Sequence, residues 1–96
     1  MTKALKFPDK YGVVTYCATC NQIRCAVDIK EVDVQVLAGC RPPLYAPLLR
    51  LLLDCGHTHQ SLIWDQAGRI MKYSNREAAY NAAKRVAREI LEHNKE

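Results

Sequence analysis

The chain has 96 residues, room for one domain over 1–96 with one modest core. Its make-up, 49% apolar and 25% charged, is that of a soluble globular protein, and no run reaches the roughly 18 apolar residues of a membrane span. The formal net charge of +4 is too small to imply a nucleic-acid partner by itself.

The opening MTKALKFPDK carries Lys3, Lys6 and Lys10 but no apolar block, unlike a secretory signal. A reducing, cytoplasmic setting is therefore expected for Cys17, Cys20, Cys25, Cys40 and Cys55, which favours metal ligation or burial over disulfides. KYGVVTYC, residues 10–17, is β-branched and aromatic and predicts a strand. After the CATC turn, QIRCAVDI is expected to pair back on it, with Cys25 in mid-strand and in the core. EVDVQVL alternates, so Val32, Val34 and Val36 share the buried face of a strand.

AGCRPPLYAP breaks the pattern. Prolines at 42, 43 and 47 cannot donate to a ladder, which predicts a loop or an edge crossing. LLRLLLDC reads as a strand with Leu49, Leu51, Leu53 and Cys55 on one face. The other reading is a short helix opened by Pro47 and closed by Gly56. QSLIWDQAGRIMKYS predicts a hairpin turning at 65–68 and returning through Ile70 to Tyr73.

SNRE, residues 74–77, has the form of a capping box with Ser74 as N-cap. From there Ala79, Ala82, Ala83, Val86, Ala87, Ile90 and Leu91 recur at helical spacing, and His93 closes the helix facing solvent. The expected class is α+β, with a β-rich body over 11–73 and an amphipathic C-terminal helix over 75–93.

Two tight pairs of soft donors stand out. Cys17 and Cys20 form a CxxC turn at a strand end. In DCGHTH, Cys55, His57 and His59 fall at every second position, so an extended chain aims all three to one side. A tetrahedral zinc centre wants two such pairs, and Cys17, Cys20, Cys55 and His57 supply it; His59 or Cys40 could stand in as alternate ligands. This arrangement resembles the zinc ribbon superfamily, in which two knuckles on β-hairpins clamp one zinc. The first knuckle matches the family pattern, whereas the second is C-G-H where the family has CxxC. The resemblance implies a structural Zn2+ holding residues 11–73 together.

Catalytic zinc would need an open coordination position and a nearby base, and neither HExxH nor the HxE…PCxxC pattern occurs. A redox CxxC would need a helix after it, and NQIRC reads as strand. A non-catalytic binding module is expected, with no membrane and no small-molecule substrate. Nucleic acid is the first candidate partner, through Lys84, Arg85, Arg88, Arg69 and Lys72, with Trp64 and Tyr73 for stacking. The bland alternative is a solvated helix face with Arg85–Glu89 and Arg88–Glu92 pairs. The rival partner is a protein, reached through Tyr45 and Leu48 on the proline-rich loop, as in an adaptor or inhibitor. In size and C-G-H site the chain is similar to the small zinc proteins of phages and mobile elements, many of which bind host machinery.

Overall fold

A computed structural model describes residues 4–95, so Lys3 lies outside the described residues. In chain order come β1 (Gly12–Val13), β2 (Tyr16–Cys17), β3 (Gln22–Ile23), β4 (Ala26–Leu37), β5 (Leu44–Leu53), β6 (Thr58–Trp64) and α1 (Arg76–His93). The strands form a four-stranded sheet in the order β1-β6-β5-β4 and a two-stranded β2-β3 hairpin, all antiparallel. The α+β expectation therefore holds.

The first predicted strand is divided between the two sheets. Val13 still pairs with Ile63, but the Val14 amide donates to the Ser61 hydroxyl (3.0 Å) and the chain leaves the ladder. It resumes as β2, where Tyr16 pairs with Ile23. β1 can lie this close to β6 because Gly12 faces Trp64: a Cβ on residue 12 would sit 3.2 Å from the Trp64 Cβ.

β5 is the central strand and corrects the loop reading. The turn before it shrinks to residues 38–43, and Pro47, paired with Val34, is buried inside the sheet. The reason lies in the register. Odd-numbered residues of β5 turn their polar backbone toward β6, as the Leu53 amide does to the His57 carbonyl, so residue 47 would face Ile63. The Ile63 carbonyl accepts instead from the Met71 amide at 2.9 Å. The return segment thus supplies the donor that proline lacks. That segment is not a strand but a pair of bridges, Trp64 with Ile70 and Tyr45 with Tyr73, entered through a turn closed by Gly68 at φ 78°.

Alternation in β5 points Leu49, Leu51 and Leu53 at the helix, where with Ile63, Val86, Ala87 and Ile90 they form the core. Ala79, Ala82 and Ala83 are also buried, and their small side chains let α1 lie close to the sheet. Leu91, expected on the same stripe, is 46% exposed. β4 is an outer strand, and its edge is blunted. The amides of Ile29 and Val34 point away from β5 and are each capped by the preceding carboxylate, Asp28 and Asp33, at 2.8 Å. No described helix is long and apolar enough to cross a membrane.

The helix begins one residue later than the capping box predicts. Asn75 is the N-cap, its side-chain oxygen accepting from the Ala78 amide at 2.7 Å. At the other end Asn94 accepts from the Lys6 amide (2.7 Å) and donates to the Lys6 carbonyl (2.8 Å), tying the N-terminal segment to the helix end. Asn75→Ala is expected to cost about 1 kcal/mol in urea unfolding, and Ser74→Ala less than about 0.5 kcal/mol.

Candidate metal centre and basic surface

Two turns build the centre. The first joins β2 to β3: Cys17 ends β2, and Asn21, in the left-handed region at φ 56°, brings the chain back. Its side chain is held by the Tyr16 hydroxyl, and the Cys20 amide points at the Cys17 sulfur (3.4 Å). The second turn joins β5 to β6. Gly56 donates to the Leu53 carbonyl at 2.9 Å, and its φ of 87° suits glycine. A further strut, the Asp54 amide on the Cys25 carbonyl (2.8 Å), holds this turn beside the start of β4.

The turns face each other and bring Cys17, Cys20, Cys55 and His57 together, every ligand atom within 4.8 Å of the others. His57 Nδ1 lies 3.5, 3.7 and 3.3 Å from the sulfurs of Cys17, Cys20 and Cys55, and the Cys17 and Cys55 sulfurs are 3.6 Å apart. A tetrahedral centre with metal–sulfur bonds of about 2.3 Å and a metal–nitrogen bond of about 2.0 Å has edges of about 3.8 Å (S–S) and about 3.5 Å (S–N). The three sulfur–nitrogen edges and the Cys17–Cys55 edge already stand close to those values. All five cysteines are free thiols.

The alternate ligands do not join. His59 sits on β6 opposite Leu51. Cys40 lies in the turn before β5, whose 10 residues, about 30 Å of strand, separate it from Cys55. Cys25 is exposed rather than core, and it lies between β3 and β4 rather than in mid-strand.

The electrostatics favour metal ligation. The Cys20 amide, with help from the Cys55 and Cys20 thiols and the Thr19 amide, pulls the Cys17 thiol down to about 7 against its burial. Cys20 is pushed up, first by its bond to Cys17 and then by burial, with Arg24 opposing. The Arg24 guanidinium is held above its ordinary range by Cys20 first, with Asp54 and Cys55 adding. Three thiolates and a neutral imidazole around a dication leave one negative charge, and Arg24 offsets it.

The cations assigned to nucleic acid fall into two groups. Arg69 and Lys72 line a hollow of about 560 Å3 with Tyr11, Tyr73 and Met71. Arg85 reaches it from the helix, its guanidinium donating to the Tyr73 hydroxyl at 3.5 Å. Lys84 and Arg88 line a different groove on the far flank of α1. Among the described residues neither expected helix pair forms: Glu89 is taken by Lys10 (2.9 Å) and by the Tyr11 hydroxyl. Those two partners, Tyr11 first, hold the Glu89 carboxyl below its usual range.

Trp64 is half-buried, with its Cβ against Gly12. The protein-binding candidates also change place. Tyr45 and Leu48 are in β5, not on a loop; Tyr45 is half-buried and Leu48 is only 5% exposed. Comparison with protein-family models, with curated proteins and with solved structures found no match.

Cys17→Ser and Cys55→Ser are expected to lose the single bound metal equivalent in elemental analysis of the purified protein, while Cys25→Ser, Cys40→Ser and His59→Ala keep it. In metal-free protein the Cys17 thiol ionises at about 7 folded against 9.0 for an ordinary thiol. Ultraviolet thiolate absorbance should therefore rise as pH increases through about 7 and disappear on acidification, and Cys17→Ser should remove that phase.

Proposed function

We propose that the chain is a non-catalytic binding module of zinc-ribbon type, stabilised by one structural zinc, that takes single-stranded nucleic acid in the hollow between Tyr11 and Tyr73. Three sulfurs and one imidazole are the donor set zinc prefers, and their spacing suits its bond lengths. Four protein ligands complete a tetrahedron, leaving no position for a catalytic water. The two turns on two hairpins are the arrangement that the resemblance to zinc ribbons implies.

One observation carries the binding assignment. Arg69 and Lys72 of the return segment and Arg85 of α1 gather round Tyr73 with the Tyr11 ring close by. Cations beside half-buried aromatic rings suit a phosphate backbone and an unstacked base. The hollow, about 560 Å3, has room for a base and its phosphate.

Anisotropy of a labelled single-stranded oligonucleotide over a salt series tests this reading. Three neutralised phosphates give a log–log salt slope of about −2, and Arg69→Glu with Arg85→Glu should lower its magnitude by about 1.4 and weaken binding by more than about tenfold. Zinc content should stay at one equivalent, since neither residue is a ligand. Salt-independent binding, or binding indifferent to both changes, counts against nucleic acid.

A further inference from the structure

The flank of α1 away from Tyr73 holds an unused groove of about 450 Å3 between the helix and β4. Its floor is aliphatic: Val32, Ala87 and Leu91. Leu91 is the informative residue, because it lies beyond the packed stripe and leaves 46% of its surface exposed. Val36, on the same face of β4, is 44% exposed. The rim is basic, with Lys84, Arg88 and Lys95 against the single acid Glu92. Among the described residues no ion pair includes Lys84, Arg88 or Lys95. From 84 to 92 the lining follows about 12 Å of helix axis, with Lys95 just past the helix end.

These features select among occupants. Strand addition along β4 is opposed by the Asp28 and Asp33 caps on its outer amides. A second copy docking groove to groove across a two-fold axis would bring three cations against three cations. Nucleic acid would find no aromatic ring on the floor. An apolar stripe flanked by carboxylates satisfies both floor and rim. We propose that this groove docks an acidic amphipathic helix of a partner protein, its apolar i, i+3, i+4, i+7 stripe on Val32, Ala87 and Leu91 and its carboxylates against Lys84, Arg88 and Lys95. This surface is separate from the nucleic-acid hollow, and its test does not depend on that reading.

The probe is a labelled synthetic helical peptide with leucines at that spacing and glutamates on both flanks, titrated with zinc-loaded full chain. A second peptide carries lysines in place of the glutamates. The acidic peptide should bind and the basic one should not. Leu91→Asp, at an exposed position, should weaken binding by more than about tenfold with circular dichroism unchanged. Lys84→Glu with Arg88→Glu should do the same and transfer preference to the basic peptide. No binding, equal binding of both peptides, or binding unaffected by Leu91→Asp overturns the proposal. So does a wild-type dimer in sedimentation that Leu91→Asp dissolves, which assigns the groove to a second copy. Retention on phosphatidylserine vesicles lost in Leu91→Asp, without peptide binding, overturns it in favour of a membrane surface.

Discussion

The structure depends on one cross-link, the meeting of the β2–β3 turn with the β5–β6 turn through Cys17, Cys20, Cys55 and His57. The first of these turns has little else to hold it. Its strands are two residues each and pair only Tyr16 with Ile23 and Cys17 with Gln22. A hairpin that short has no stability of its own in water. Ile23 is 78% exposed, so the hairpin brings almost no apolar face to the core. Its one deep contact is Cys17, at 2% exposure. A metal at this cluster turns ligand affinity into folding free energy, which is how a small domain makes up for a limited core.

How much of this was legible in the sequence depended on whether the signal was local. The period-2 runs of β4 and β5, the alanine-rich helical stripe and the CxxC and C-G-H turns each carry their geometry within a few residues. Pro47 does not. A proline in a central strand is acceptable only because Met71, 24 positions away, donates in its place, and no window of sequence shows that. The neighbouring Tyr45–Tyr73 bridge likewise puts Tyr45 in a strand rather than a loop. The N-cap shift is smaller in kind: Ser74 and Asn75 both cap well, and the Tyr73–Tyr45 bridge decides which one stands at the helix mouth. The choice of His57 over His59 agrees with the tight Cys55–Gly56–His57 turn, whereas His59 lies two residues further on, within β6.

Charge was the least legible property. Lys10 and Glu89 are far apart in the chain, yet their pairing consumes the acid that sequence spacing offered to Arg85. Arg85 is released to Tyr73 by that exchange. Helix geometry then sorts its neighbours: successive residues are about 100° apart, so Lys84 lines the aliphatic groove while Arg85 bonds to Tyr73. A run that reads as one basic patch becomes two surfaces of different chemistry, one aromatic-lined and one aliphatic.

The aliphatic groove is walled by α1, and Arg85 of α1 bonds to Tyr73 at the other hollow, so both depend on the helix position, which leads back to the metal ligands. Cys17 belongs at once to the ligand cluster and to the core cluster that contains Leu53, Ala26, Val86, Ala87 and Ile90. Leu53 is two residues before Cys55 and is the residue on which the second turn closes. Ala26 pairs with Leu53 and accepts from the Leu5 amide, and the N-terminal segment runs on to Asn94 at the helix end. Displacing Cys17 therefore disturbs the packing under Ile90 and the strap around the last helical turn together. The groove floor at Ala87 and Leu91 lies on either side of Ile90, whereas Arg85 and Tyr73 are further from that end. A structural ion at the two turns would thus set the shape of the aliphatic groove more directly than that of the tyrosine-lined hollow.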